Sequence, residues 1–152
     1  MTRRVKRFGM AACMALIAWG AVSHAAGEGW LTDFEKAKKL AAEKERPILV
    51  DFTGSDWCGW CIKLDKEVFS QDEFKKYAKD NLVLFVADFP RRKELPDDVK
   101  EQNKKLASKF GVTGLPTIML LDKNGEKLQQ TGYKRGGAEA YVEHLKELLA
   151  KK

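Results

Sequence analysis

With 152 residues and 44% hydrophobic content, the chain can bury one core and is too short for two domains of ordinary size. Its 28 Lys and Arg exceed 22 Asp and Glu by a formal +6, but Arg3, Arg4, Lys6 and Arg7 crowd the start. Without those four the balance is 24 to 22, a formal +2, which removes net charge as an argument for a nucleic-acid partner or a membrane surface.

The basic start runs into the apolar stretch FGMAACMALIAWGAV and then Ser23-His24-Ala25-Ala26. This is the pattern of a secretory signal peptide, residues 1–25, cleaved after Ala25 to leave a domain over 26–152. The apolar stretch falls short of the roughly 20 residues that span a bilayer. Cys13 lies ahead of most of it, whereas a lipidated cysteine follows such a run, and Arg3-Arg4 is a weak twin-arginine signal. Cleavage leaves Cys58 and Cys61 as the cysteine pair, in a compartment where disulfides form and exchange. The expectation is a soluble protein, periplasmic or otherwise exported, and a monomer.

Thr32-Asp33-Phe34-Glu35 has capping-box spacing, and Phe34, Ala37, Leu40 and Ala41 mark the apolar face of a helix that reaches about Arg46, before Pro47. Ile48 to Thr53 reads as a short strand buried on both faces. A helical pattern with Ile62, Leu64, Val68 and Phe69 apolar starts at Cys58. Ser70-Gln71-Asp72-Glu73 caps a further helix through Lys79, and Leu82 to Phe89 is a second strand. Pro90 to Pro96 is a loop, Asp97 to Phe110 an amphipathic helix with Val99, Leu106 and Phe110 apolar, and Gly111 its stop. Thr117 to Leu121 and Lys127 to Tyr133 are strands joined through Asn124-Gly125. Gly136-Gly137 precedes a last helix with Tyr141, Val142, Leu145, Leu148 and Leu149 toward the core. The order α, β, α, β, α, β, β, α predicts an α/β fold, with helices flanking a small mixed central β-sheet.

Two thiols spaced as Cys58 and Cys61 can be a staple, half of a metal site or a redox couple. A staple across so short a loop restricts the unfolded chain little. A zinc site wants about four ligands, and past the signal only His144, far along the chain, could add to the two thiols; copper would need the thiols alone. The setting favours redox exchange, because a buried strand leads through a short turn into a helix that opens at the pair. Unpaired N–H groups and the macrodipole at a helix start stabilise a Cys58 thiolate, and Cys61 follows on the same helical face.

WCGWC after ILVDFT, with Gly114-Leu115-Pro116-Thr117 opening a later strand, resembles the thioredoxin superfamily over roughly residues 30–150. The resemblance extends to exported thioredoxin-like proteins of the DsbH and thiol:disulfide interchange type. It implies a thioredoxin-like fold in which Cys58 is the exposed nucleophile and Cys61 the buried resolving thiol. Pro116 becomes the cis-proline beside them, where the backbone at Leu115 pairs with an extended substrate segment. Asp51 matches the family's buried acid, which exchanges a proton with the resolving thiol, if the extra residue in Gly54-Ser55-Asp56 is confined to the turn. The lysine that accompanies this acid in thioredoxin has no counterpart in Leu82 to Ala87, so Asp51 is expected to be harder to ionise. Trp57 matches the family's active-site tryptophan, and with Trp60 is expected to be exposed as an apolar contact surface for substrate.

Gly59-Trp60 between the cysteines supplies no histidine to stabilise the thiolate, which places the couple nearer thioredoxin's about −270 mV than DsbA's about −120 mV. The expected activity is thiol:disulfide oxidoreduction, mainly reduction of protein disulfides. Oxidase or isomerase action, or a thiol-dependent metallochaperone or binding module, are the alternatives. No cofactor beyond the redox-active cysteines and no bound metal are expected. Electrons would come, by family analogy, from a membrane thiol transporter. Asp88 to Pro116 is longer than in thioredoxin, and its Arg91-Arg92-Lys93 loop reads as solvated, with partner selection as the alternative.

Overall fold

The computed structural model describes residues 29–151, so the signal-peptide reading, its cleavage point and Cys13 lie outside the described residues. Five strands form one sheet: β1 (Trp30–Leu31), β2 (Ile48–Thr53), β3 (Val83–Asp88), β4 (Thr117–Leu121) and β5 (Lys127–Thr131). Their order is β1-β3-β2-β4-β5. β3 runs parallel to β1 and β2, whereas β4 is antiparallel to β2 and β5. The helices are α1 (Phe34–Lys44), α2 (Gly59–Leu64), α3 (Asp72–Asn81), α4 (Asp97–Phe110) and α5 (Gly137–Ala150). α2 continues into a π-helical turn, Asp65–Phe69, which lets the consecutive Val68 and Phe69 both reach the core.

β2 sits at the centre with all six residues buried, as its apolar run predicts. Ile48, Val50 and Phe52 face a core closed by Phe34, Ala37 and Ala41 of α1 and by Leu106 and Phe110 of α4. Leu49 faces the opposite core, built with Leu64, Val68, Phe74 and Tyr141. Asp51 shares the parity of Leu49 and therefore points to the layer of α2 and α5.

Several local readings are corrected. The N-cap of α1 is Asp33, which accepts from Lys36 N at 3.0 Å, one residue after the Thr32 of the capping-box pattern. The strand β1, two residues long, was not anticipated, and β5 stops at Thr131 rather than Tyr133. Ile62 is 47% exposed, because the buried stripe of this helix runs through Cys61, Leu64 and Val68 and leaves Ile62 off to one side. Gly111 ends α4 in the left-handed region, φ 67°, as its position suggests.

Candidate active site

The antiparallel register sets Phe52 against Thr117. The end of β2, from which the cysteine turn departs, therefore lies beside the start of β4, where Leu115 and Pro116 enter. The Leu115–Pro116 peptide is cis, and Thr117 Oγ1 donates to Gly114 O at 2.7 Å, closing the bend around it. Residues 58–61 and 114–117, far apart in sequence, therefore lie toward the same end of the sheet.

Cys58 and Cys61 form a disulfide with Cα atoms 5.2 Å apart. Cys58 is the N-cap of α2, and its sulfur accepts from Cys61 N at 3.3 Å. The expectation of an exposed Cys58 needs correction: in this disulfide it is 7% accessible against 3% for Cys61. The sulfur turns inward to its partner and to the first turn of the helix. Gly59 opens α2 in an exposed position, and a Cβ there would meet nothing within 4 Å.

Asp51 is buried, and its Oδ1 has no hydrogen-bond partner. It lines a cavity of about 260 Å³ together with Cys61, Asp65 and Asp88. Burial, followed by the nearby Asp65 and Asp88 charges, raises its pKa to about 8. Its register partner on β3 is Val86, as the missing lysine requires. Lys93, from the following loop, pairs instead with Asp88 at 2.9 Å.

The tryptophans differ. Trp60 is 54% exposed and lies against Tyr133, ring centroids 5.1 Å apart. Trp57 departs from the exposed reading: half-buried, it donates its indole N–H to Phe89 O at 2.7 Å and carries Arg91 over its ring. Gly54 is needed for that packing, since a Cβ would stand 2.6 Å from Trp57 Cε2.

Sequence reasoning missed two groups. Tyr133 walls the site beside Trp60 and donates to Glu67 at 2.6 Å; adjacent Gly132 lets the chain pass Pro116, where a Cβ would lie 3.3 Å from its carbonyl oxygen. No local signal marks Tyr133, which lies far along the chain from the cysteines. Asp56, noted only as part of an extra turn residue, accepts from the backbone N–H groups of Arg91, Arg92 and Lys93 at 2.9, 2.8 and 3.2 Å. Ser55 adds Oγ to Asp88 at 2.6 Å. An Asp in a short polar turn was the available signal, but the backbone N–H groups that donate to it lie 35 to 37 residues away. His144 lies elsewhere, its Nε2 2.9 Å from Thr131 Oγ1.

Residues 34–148 match the family described as a thioredoxin-like domain. The chain is 34% identical over 116 residues to the disulfide bond reductase DsbH of Chlamydia pneumoniae, covering 76% of this chain and 70% of that one. It is 29% identical to the thiol:disulfide interchange protein DsbD of Campylobacter jejuni, over 74% of this chain but only 18% of DsbD. A solved DsbH oxidoreductase superposes with a TM-score of 0.77 at 30% identity, covering 98% of this chain and 96% of its own. A thioredoxin from Thermus thermophilus, TM-score 0.59 at 19% identity, shares the fold over 80% of this chain and 87% of its own. No helix among the described residues is long and apolar enough to cross a membrane.

Proposed function

The chain belongs to the thioredoxin-like family and is a thiol:disulfide oxidoreductase, and we propose that it acts mainly as an exported dithiol reductase of protein disulfides. The observation that carries this reading is the Cys58–Cys61 disulfide at the start of α2, with Cys61 and the buried Asp51 lining one cavity.

In the reduced protein, the Cys58 thiolate attacks one sulfur of a substrate disulfide, and the other substrate sulfur leaves as a thiolate that takes up a proton. Cys61 then loses its proton and attacks the Cys58 sulfur. The first substrate sulfur departs, and the Cys58–Cys61 disulfide is left behind. Two electrons have passed to the substrate, whose two sulfurs leave as thiolates and take their protons from solvent. A carboxyl with a pKa near 8 is a far better match to a thiol than an ordinary aspartate, so the ionised form of Asp51, whose share grows as pH approaches 8, is assigned the proton of Cys61. When a donor reduces the disulfide again, protonated Asp51 returns that proton to the departing Cys61 sulfur.

The exposed Trp60 supplies apolar contact, while Leu115 and Pro116 offer a backbone edge to an extended substrate segment. Trp57 holds the turn rather than presenting a free face. The reducing direction rests on Gly59-Trp60, which provides no histidine to stabilise the thiolate. Export rests on the pattern of residues 1–25. The electron donor is proposed to be a membrane thiol transporter.

Catalysed reduction of insulin disulfides, abolished in Cys58→Ser, is the expected outcome; no turnover by the native protein would overturn the reading. Equilibration against glutathione and dithiothreitol should place the couple nearer thioredoxin's about −270 mV than DsbA's about −120 mV, and a potential near that of DsbA would make the protein an oxidase.

A further inference from the structure

The Arg91-Arg92-Lys93 loop is tied to the active-site turn at two points. Asp56 holds its backbone through three N–H groups, and Trp57, the residue before Cys58, carries the Arg91 guanidinium 3.7 Å from its ring centroid. Trp57 is itself fixed through Phe89 O. An arginine stacked on an indole keeps the N–H groups at its edge available for a carboxylate.

The carboxylates around this loop already have partners. Asp88 pairs with Lys93, Glu94 and Asp97 pair with Lys100, and Asp56 serves the backbone. Arg91 and Arg92 are exposed, and among the described residues neither forms an ion pair. Across the site, Lys63 stands 5.2 Å from the Trp60 ring centroid and 5.4 Å from that of Tyr133. Lys63 is paired with Glu67 at 3.8 Å, so among the described residues the unpaired cations beside the cysteine turn are those of the Arg91 loop, although the chain past its signal is close to neutral.

We propose that Arg91 and Arg92 select substrates by docking an acidic segment that flanks the disulfide to be reduced. This deepens the reductase reading and rests on it. Exposed charges placed beside a reactive centre favour encounter with the complementary partner and lose that advantage as salt rises.

Disulfide peptides that differ only in carrying Asp, Asn or Lys beside the cystine test the idea through kcat/KM of their reduction. The Asp peptide is expected to exceed the Asn peptide by about fivefold at low salt, with the Lys peptide slowest and the spread shrinking at about 0.5 M salt. The ratio of Asp to Asn should fall to near one in the Arg91→Gln, Arg92→Gln double variant, and the corresponding pair of lysines should keep part of it. Reduction of all three peptides at one rate, or a ratio that survives the glutamines, overturns the docking role and leaves the reductase reading standing. Reduction of none of them overturns both. If the double variant fails to fold, the native protein's ratio and its loss in salt still decide.

Discussion

Asp51 shows how one side chain links stability to chemistry. The folded protein holds its proton up to about pH 8, while an unfolded aspartate releases it near the model value of 3.8. Between these limits the folded state binds more protons, so stability falls as pH rises from about 4 to about 8. Asp51→Asn should abolish that slope, matching the native protein near pH 4 and exceeding it at about pH 9 by on the order of a few kcal/mol, in urea unfolding of the oxidised form. The same variant should slow turnover by impairing the proton step at Cys61. Cys61→Ser, in contrast, should retain attack by Cys58 and accumulate mixed disulfides, visible as thiol-sensitive bands on non-reducing gels. Burial of Asp51 was legible in ILVDFT, since a carboxyl within an apolar run has no route to water. Its neighbours Asp65 and Asp88 were not legible as such, because each belongs to a different element and only packing brings the three to one cavity.

Between β2 and α2, the turn Gly54–Trp57 does more than connect. Cys58 N and Trp57 N both donate to Gly54 O, at 2.8 and 3.2 Å, which winds the chain into the helix. Gly54→Ala would drive a methyl group into the Trp57 ring, and a loss of about 1–3 kcal/mol in chemical denaturation is expected. Asp56→Ala removes the acceptor for three backbone amides, so hydrogen exchange at residues 91–93 should accelerate while β2 stays protected. Periodic elements were readable: Ile48–Thr53, Asp97–Phe110 and Thr117–Leu121 fall where the apolar pattern puts them. β1 was not, because two residues cannot display alternation. The Arg91 loop read as solvated because the hydrogen bonds that order it come from a turn more than thirty residues earlier.

Across the molecule, one sheet separates two cores that share little beyond its backbone. Ile48 and Ile118 lie on opposite faces, so Ile48→Val and Ile118→Val should each cost about 0.5–1.5 kcal/mol. Their combined cost in urea unfolding should equal the sum within about 0.5 kcal/mol. Sheet order also makes the site, since β4 must lie antiparallel beside β2 for Pro116 to stand at the cysteine end. The sequence by itself determined the α/β class, a strand buried on both faces at Ile48–Thr53 and a cysteine pair opening a helix, because each rests on periodicity or on chemistry within a few residues. Tertiary structure alone decided that Cys58 is nearly as covered as Cys61, that Trp57 is pinned while Trp60 is free, and that Asp56 fastens two arginines beside the disulfide. Those outcomes depend on which distant atoms become neighbours, and a one-dimensional pattern carries no record of that.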